Sequence, residues 1–257
     1  SGDLSARVSE TTRQDELADL GRGFNQMAER IEALMKSQQR LVGDVSHELR
    51  SPLARLSVAL ELARLKAGTE AAPALDRIER EAERLNELIG QLLALAKMES
   101  GVSATPMTSV ALDQLVQEIV ADAGFEAASR QREVKLLKCD DCLVEGSPEL
   151  LRRAIENTVR NAVRYTPEGS AVEVKLECDG KLATISVRDF GKGVPPSSLN
   201  QLFEPFYRVA EARDRQTGGI GLGLAITKSA IQLHGGQVSA ANAAGGGLEV
   251  TLSLPVK

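Results

Sequence analysis

The sequence predicts a chain of two parts, a coiled-coil helical hairpin followed by an α+β domain whose mixed sheet carries helices on one face. Three observations lead there. Over roughly the first hundred residues the apolar positions recur at alternating steps of three and four, which is the seam of a coiled coil. After about residue 102 the texture changes to short alternating runs set off by Gly, Asp and Pro, with helical patterns between them. Finally, the 257 residues are 42% hydrophobic and 26% charged but only 3% aromatic, with no Trp. A core must therefore be built from Leu, Val, Ile and Ala.

The first helix is justified by Leu17, Leu20, Phe24, Met27, Ile31 and Leu34, with Asp15 and Glu16 suited to a helix N-terminus. The pattern runs on through Leu41, Val45, Leu49, Leu53, Leu56 and Leu60 and stops near residues 66–69. A second helix begins near Pro73, a residue tolerated in a first turn. It places Ile78, Ala82, Leu85, Ile89, Leu92 and Ala96 on one face and ends near Ser100-Gly101. Two such helices with a short connection form an antiparallel hairpin. A lone hairpin buries little, so its stripe calls for a partner; a second copy, giving a four-helix bundle, is the simplest.

In the second part, residues 112–125, 148–164 and 223–234 read as helices. Residues 133–137, 143–145, 171–178, 182–189, 237–240 and 248–254 read as strands, with a turn at Asp179-Gly180. The net charge of −5 argues against a nucleic-acid partner. The three cysteines do not form a disulfide-framework pattern, which points to a reducing compartment. Cys139-Asp-Asp-Cys142 has C-x-x-C spacing without a second pair or a nearby His, and reads as a turn between strands. No apolar run reaches the length of a membrane span. The opening Ser-Gly-Asp-Leu lacks Met and reads as the start of a piece of a longer protein.

Four stretches carry chemistry. On a helix, His47 shares a face with Gly43, Asp44, Arg50 and Ser51, and Gly43 leaves room for a large group to approach the imidazole. Histidine suits a neutral nucleophile near neutral pH, and Glu48 could accept its Nδ1 proton and leave Nε2 free. Pro52 removes a donor and bends the helix one turn on. Asn157 and Asn161 share a helix face, with Arg160 and Arg164 beside them; amide oxygens are hard ligands that suit Mg²⁺, and guanidiniums suit phosphates. Asp189-Phe-Gly191-Lys-Gly193 offers a carboxylate at a strand end, able to accept from an exocyclic amine, and glycines that let backbone close on a flat ring. Gly218-Gly219-Ile220-Gly221-Leu222-Gly223-Leu224 opens a helix and can present N–H groups to phosphates, yet is not a P-loop.

In this order the stretches resemble the two-component sensor histidine kinases. Residues 46–53 are similar to that family's H box, Asn157–Asn161 to the N box, and Asp189–Gly193 to the first glycine box. Phe203-Glu-Pro-Phe206 resembles the F box and Gly219–Gly223 the second glycine box. Residues 15–27 resemble the second helix of a HAMP signal-relay module, and residues 37–41 and 206–215 are similar to Cpx-type envelope-stress sensor kinases. The resemblance implies a partial HAMP segment over 1–36, a dimerisation and phosphotransfer hairpin over 37–101, and over 102–257 an α/β sandwich ATP-binding domain of the gyrase/chaperone/histidine-kinase type.

It further implies that His47 accepts the γ-phosphoryl of ATP, that Glu48 orients it, and that Asn161 holds Mg²⁺ with Asn157 close by. Arg160, Arg164 and Arg208 would lie toward the phosphates, Tyr165 on the adenine and Asp189 at its amino group. Gly191 and Gly193 would line the base pocket, and Gly219, Gly221, Gly223 and Leu224 the ATP lid. The phosphoryl would pass to an aspartate of a separate response regulator docked on the hairpin, and Ser51, where relatives carry Thr, would position water for dephosphorylating it. Ile220 and Phe190 also depart from the family's usual residues. The implied setting is a homodimer forming the cytoplasmic portion of a membrane-anchored protein. The competing expectations are a gyrase- or chaperone-class ATPase, with no role for His47, and a non-enzymatic signalling scaffold.

Overall fold

The computed structural model describes residues 23–30, 33, 52–56, 58–65, 71–99, 106–209 and 221–256. The chain divides into two compact units, residues 1–102 and 103–257.

In the first unit, residues 23–30, 52–56 and 58–65 are helical, and α1 runs over Ala72–Glu99. Pro73 sits in the first turn of α1, as its missing N–H permits. Arg64 ties the helical stretch ending at residue 65 to α1, bonding Asp76 and reaching Glu79 at 3.0 Å. Leu60, Ala82, Leu93, Leu95 and Met98 are buried. Ile78, Leu85 and Leu92, seven residues apart, stay 49%, 51% and 40% exposed in the single chain. Val58, Leu62 and Leu65 are exposed as well. Leaving such a heptad row in water forfeits burial worth about 1.5–3 kcal/mol per large side chain.

The second unit begins with β1 (Thr108–Ala111), α2 (Leu112–Ala128), β2 (Glu133–Cys139) and β3 (Leu143–Gly146). It continues through α3 (Pro148–Tyr165), β4 (Ala171–Cys178) and β5 (Leu182–Arg188). A 3₁₀ turn over Pro196–Gln201, α4 (Gly223–Leu233), β6 (Gln237–Asn242) and β7 (Leu248–Pro255) complete it. Five strands form one sheet in the order β2-β4-β5-β7-β6, with β2 parallel to β4 and every other pairing antiparallel. β1 and β3 form a separate antiparallel ribbon.

Alternation decides which face is dry. Val174 and Leu176 on β4 lie across from Val187 and Ile185 on β5, and Ala183, Ile185 and Val187 lie across from Leu254, Leu252 and Val250 on β7. All are essentially fully buried. The intervening Glu173, Lys175, Thr184, Ser186, Thr251 and Ser253 form the wetter face. Helices α2, α3 and α4 pack side by side and against the strands, giving a two-layer sandwich. The helices supply Leu112, Ile119, Leu151, Ile155, Ile226 and Ile231 to its core.

Helix α3 is fixed at its start by Ser147, whose hydroxyl accepts from the Leu150 N–H at 3.3 Å, and by Pro148 at the first position. Its flank is tied to α4 by hydroxyls. Thr158 donates to the Ala154 carbonyl at 2.8 Å, and Thr227 lies 3.1 Å from both Ala154 O and Gly223 O. All the strands and helices expected in this unit are present. β1 and the 3₁₀ turn are additional to the elements expected from the sequence, and β2 runs two residues beyond its expected end.

Candidate functional site

Asp189 follows β5 directly. Its carboxylate is 3% exposed, and Oδ1 accepts two backbone N–H bonds, from Gly191 at 2.8 Å and Leu248 at 3.1 Å. Both bonds fall on Oδ1, which locks the carboxylate plane. Burial pushes this carboxyl above its ordinary value, and the two N–H groups pull the other way. Gly247 explains how the neighbouring loop gets so close: its φ is +88°, and a Cβ there would sit 1.9 Å from the Asp189 carbonyl oxygen. Gly247→Ala should therefore cost at least about 2 kcal/mol, from the left-handed backbone and the displaced strand end. Thermal unfolding checks this, with Tm expected several degrees lower.

The turn after Asp189 is held from three sides. Phe190 N–H donates to Thr166 Oγ1 at 3.3 Å, just past the end of α3. Gly191 is packed so that a Cβ would lie 2.7 Å from the Tyr165 carbonyl oxygen. Asn242 uses its side-chain amide as a surrogate strand partner, accepting from Val194 N–H at 2.9 Å and donating to Val194 O at 2.7 Å. Arg188 stacks over the Phe190 ring, 4.6 Å from its centroid. Thr166, Asn242 and Gly247 are absent from the sequence reading. Each acts across a sequence gap, which leaves no local pattern to find.

Helix α3 places Asn157, Asn161 and Arg164 half-buried and Tyr165 39% exposed. Asn157 Nδ2 is buried and has no hydrogen-bond partner among the described residues. The entry to α4 lies beside it: a Cβ on Gly223 would be 3.8 Å from Asn157 Cβ and Cγ. Leu224, one residue on, is buried in the core. Gly221 has φ +82°, accepts from the Phe206 N–H at 2.9 Å, and is so tight that a Cβ would come within 2.8 Å of the Tyr207 carbonyl oxygen. Phe206 itself holds a left-handed φ of +63° and is 56% exposed. Arg208 is half-buried. Arg160 lies on the α2 side, 62% exposed and 3.5 Å from Glu126.

Gly191 thus packs against Tyr165 and Asp189 at the end of α3, and Gly223 against Asn157 on its face, whereas Gly193 packs on Asn242, Gly221 on Phe206 and Tyr207, and Arg160 bonds toward α2. His47, Glu48, Ser51 and Gly219 lie outside the described residues. His234 ends α4, its backbone N–H donating to Ile231 O at 3.1 Å. Its buried ring also accepts from Ser147 N–H at 2.9 Å, tying α4 to the start of α3.

The domain comparisons fall on these units. Residues 1–33 match the HAMP domain, residues 37–101 the His Kinase A (phospho-acceptor) domain, and residues 146–257 the histidine kinase-, DNA gyrase B- and HSP90-like ATPase. A helical hairpin followed by this two-layer ATP-binding domain, in that order, defines the class, and the chain belongs to the sensor histidine kinase family. It is 41% identical over 237 residues to the sensor histidine kinase CpxA of Escherichia coli K12, an alignment covering 92% of this chain and 51% of that protein. The signal transduction histidine-protein kinase BaeS of the same organism is 32% identical over 258 residues, covering 100% of this chain and 55% of BaeS. The chain therefore spans about half the length of these relatives. Among solved structures, full-length ShkA in complex with AMPPNP superposes with a TM-score of 0.73 at 25% identity, covering 84% of this chain and 46% of that one. The mycobacterial sensor histidine kinase MprB gives 0.52 at 26% identity, covering 59% of this chain and 98% of that one.

Proposed function

We propose that this chain catalyses ATP-dependent phosphorylation of its own His47 and passes the phosphoryl group to an aspartate of a response regulator. The observation that supports this is the grouping of the Asp189 turn, the Asn157–Tyr165 face of α3 and the glycine entry to α4 in one unit. The buried carboxylate offers an acceptor, the unpartnered Asn157 amide a donor, and the close-packed glycines let backbone approach a flat ligand. In this reading Asp189 accepts from the adenine amino group, and Gly191 and Gly193 let the backbone approach the ring. Tyr165 covers the base. Arg164 and Arg208 face the phosphates, and Arg160 contributes only by leaving Glu126. Gly219, Gly221 and Gly223 line the lid segment, and Leu224 anchors the start of α4 that follows it.

Asn161 would hold Mg²⁺, with Asn157 close by; the ion would neutralise phosphate charge. Among the described residues there is no cluster of three or more His, Cys, Asp or Glu able to hold a metal, so an amide oxygen and the phosphates are its fitting ligands. Phosphoryl transfer needs placement and charge neutralisation more than covalent chemistry from the enzyme. Glu48 would keep Nε2 of His47 unprotonated for attack, and Ser51 would direct water in the reverse, phosphatase reaction. The segments 1–36, 37–101 and 102–257 serve as relay, phosphotransfer hairpin and ATP-binding domain. The exposed heptad row Ile78, Leu85 and Leu92 suits a homodimeric bundle. No helix among the described residues is long and apolar enough to cross a membrane. The chain is read as the cytoplasmic portion of a membrane-anchored sensor.

Incubation with ATP and Mg²⁺ tests this reading: label at the γ-position should become protein-bound and label at the α-position should not. Steady hydrolysis without bound label would favour the gyrase- or chaperone-class alternative.

Asp189 also predicts a pH dependence. The ordinary carboxyl value is 3.8, and burial raises it in the folded protein. A raised carboxyl pKa means the fold binds the proton more tightly, so Asp189 opposes stability increasingly as pH rises from 3.8 through the raised value. Nucleotide binding runs the other way, because the ionised carboxylate accepts from the adenine amine far more strongly than the protonated acid does. ATP affinity should therefore fall as pH is lowered from about 7 toward about 4, and the fall should begin above the ordinary Asp range. Titration of a fluorescent ATP analogue across that range reads it, with Asp189→Asn expected to flatten the profile.

A further inference from the structure

We propose that Cys142 and Cys178 form a reversible intramolecular disulfide when the protein meets a peroxide. The C-x-x-C spacing directs attention to Cys139 and Cys142, but the fold pairs Cys142 with a residue on another strand. Cys142 Sγ donates to Cys178 Sγ at 2.7 Å, nearer to the about 2.05 Å of a disulfide than packed thiols come. Cys139 is engaged elsewhere, with its sulfur 3.8 Å from both Asp113 O and Gln117 Nε2 on α2.

The juxtaposition is built in by the backbone. Asp140 N–H donates to Leu176 O at 3.1 Å, and Asp140 Oδ2 accepts from Cys178 N–H at 3.1 Å, clamping the turn to the end of β4. Lys138 reinforces the clamp, 3.2 Å from Asp140 and 3.1 Å from Glu177. Together the Cys178 N–H and Lys138 hold the Asp140 carboxyl below its usual range. The Cys142 carbonyl is fixed in turn by Leu112 N–H at 2.9 Å. A cavity of about 650 Å³ lined by Cys142, Cys178, Ser109, Asp113, Glu145 and neighbours leads a small oxidant to the sulfurs.

The order of events follows from exposure. Cys142 is 4% exposed and its thiol is pushed up to about 12, chiefly by burial, so it keeps its proton. Cys178 is half-buried and lines the cavity, so the peroxide meets its sulfur first. That sulfur attacks one peroxide oxygen, the O–O bond breaks, and the departing hydroxide takes the Cys178 thiol proton and leaves as water. The Cys178 sulfenic acid is then attacked by Cys142 sulfur. The S–O bond breaks, the S–S bond forms, and a second water carries away the Cys142 proton. Two thiols lose two electrons and one peroxide gains them.

The site is remote from the nucleotide residues. Cys178 pairs with Ala183 and Arg188 with Glu173, so Cys178 and Asp189 lie at opposite ends of the β4–β5 pair. The bond would join the β1–β3 ribbon, through which the chain enters this unit, to the main sheet.

The test oxidises the reduced 257-residue chain with hydrogen peroxide, blocks remaining thiols with an alkylating agent and maps peptides without reduction. A linked Cys142–Cys178 peptide pair, lighter by two hydrogens, is expected, with Cys139 alkylated. The link should vanish on treatment with a dithiol, persist in Cys139→Ser and be lost in Cys178→Ser. A link involving Cys139, links only between chains, or recovery of Cys142 and Cys178 as alkylated thiols or sulfinic acids would each overturn the proposal. Mapping the unaltered chain keeps the test independent of whether any variant folds.

Discussion

Replacing His47 with Gln should remove protein-bound γ-phosphoryl altogether while leaving ATP affinity within about twofold of the parent. The residues grouped around α3 and Asp189 all belong to the unit from 103 to 257, whereas His47 belongs to the other. On the proposed site, binding energy for the nucleotide comes from side chains of the second unit. Only the acceptor is lost, and no other side chain in the H-box segment offers a neutral nitrogen nucleophile. Equilibrium binding of ATP measured beside label incorporation gives the two numbers. Label retained by the Gln protein would remove His47 from the reaction, and binding lost with the label would assign it a different role.

The second large effect is expected at Asp189. Asp189→Asn replaces the anionic acceptor by a neutral amide while keeping an oxygen in place of Oδ1 for the Gly191 and Leu248 N–H groups. Hydrogen bonds to a charged group contribute roughly 1.5–3 kcal/mol, so ATP should bind about 10- to 100-fold more weakly. Stability should change little or improve, because a buried carboxylate with a raised pKa is replaced by a group without that desolvation cost. Loss of affinity with unchanged or raised Tm separates a binding role from a structural one. A fall in both would make Asp189 a structural residue.

Much of the second unit is legible in the sequence because its strands alternate cleanly. Val172-Glu-Val-Lys-Leu176 and Ala183-Thr-Ile-Ser-Val187 can bury only one face, and they pair as neighbours across the Asp179-Gly180 turn, where Asp179 accepts from Lys181 and Leu182 N–H groups. The short ribbon was harder. Thr108–Ala111 has a single buried residue, Val110, and its partner β3 lies beyond a whole helix. The same distance hides the Asn242–Val194 amide pairing, the close approach of Gly247 to Asp189 and the Cys142–Cys178 contact. Arg160 shows the limit of helical spacing. Three residues from Asn157 and four from Arg164, it still turns toward Glu126 because α2 flanks that side of α3.

The proposed receiver of the γ-phosphoryl is the imidazole at position 47. Its most direct test is mass-spectrometric mapping of the chain after reaction with ATP and Mg²⁺, with peptides kept at neutral to alkaline pH so that a phosphorus–nitrogen bond survives. One acid-labile phosphoryl is expected on the peptide carrying His47. A phosphoryl group stable to acid on a serine or threonine, or none on that peptide while ATP is consumed, would contradict it.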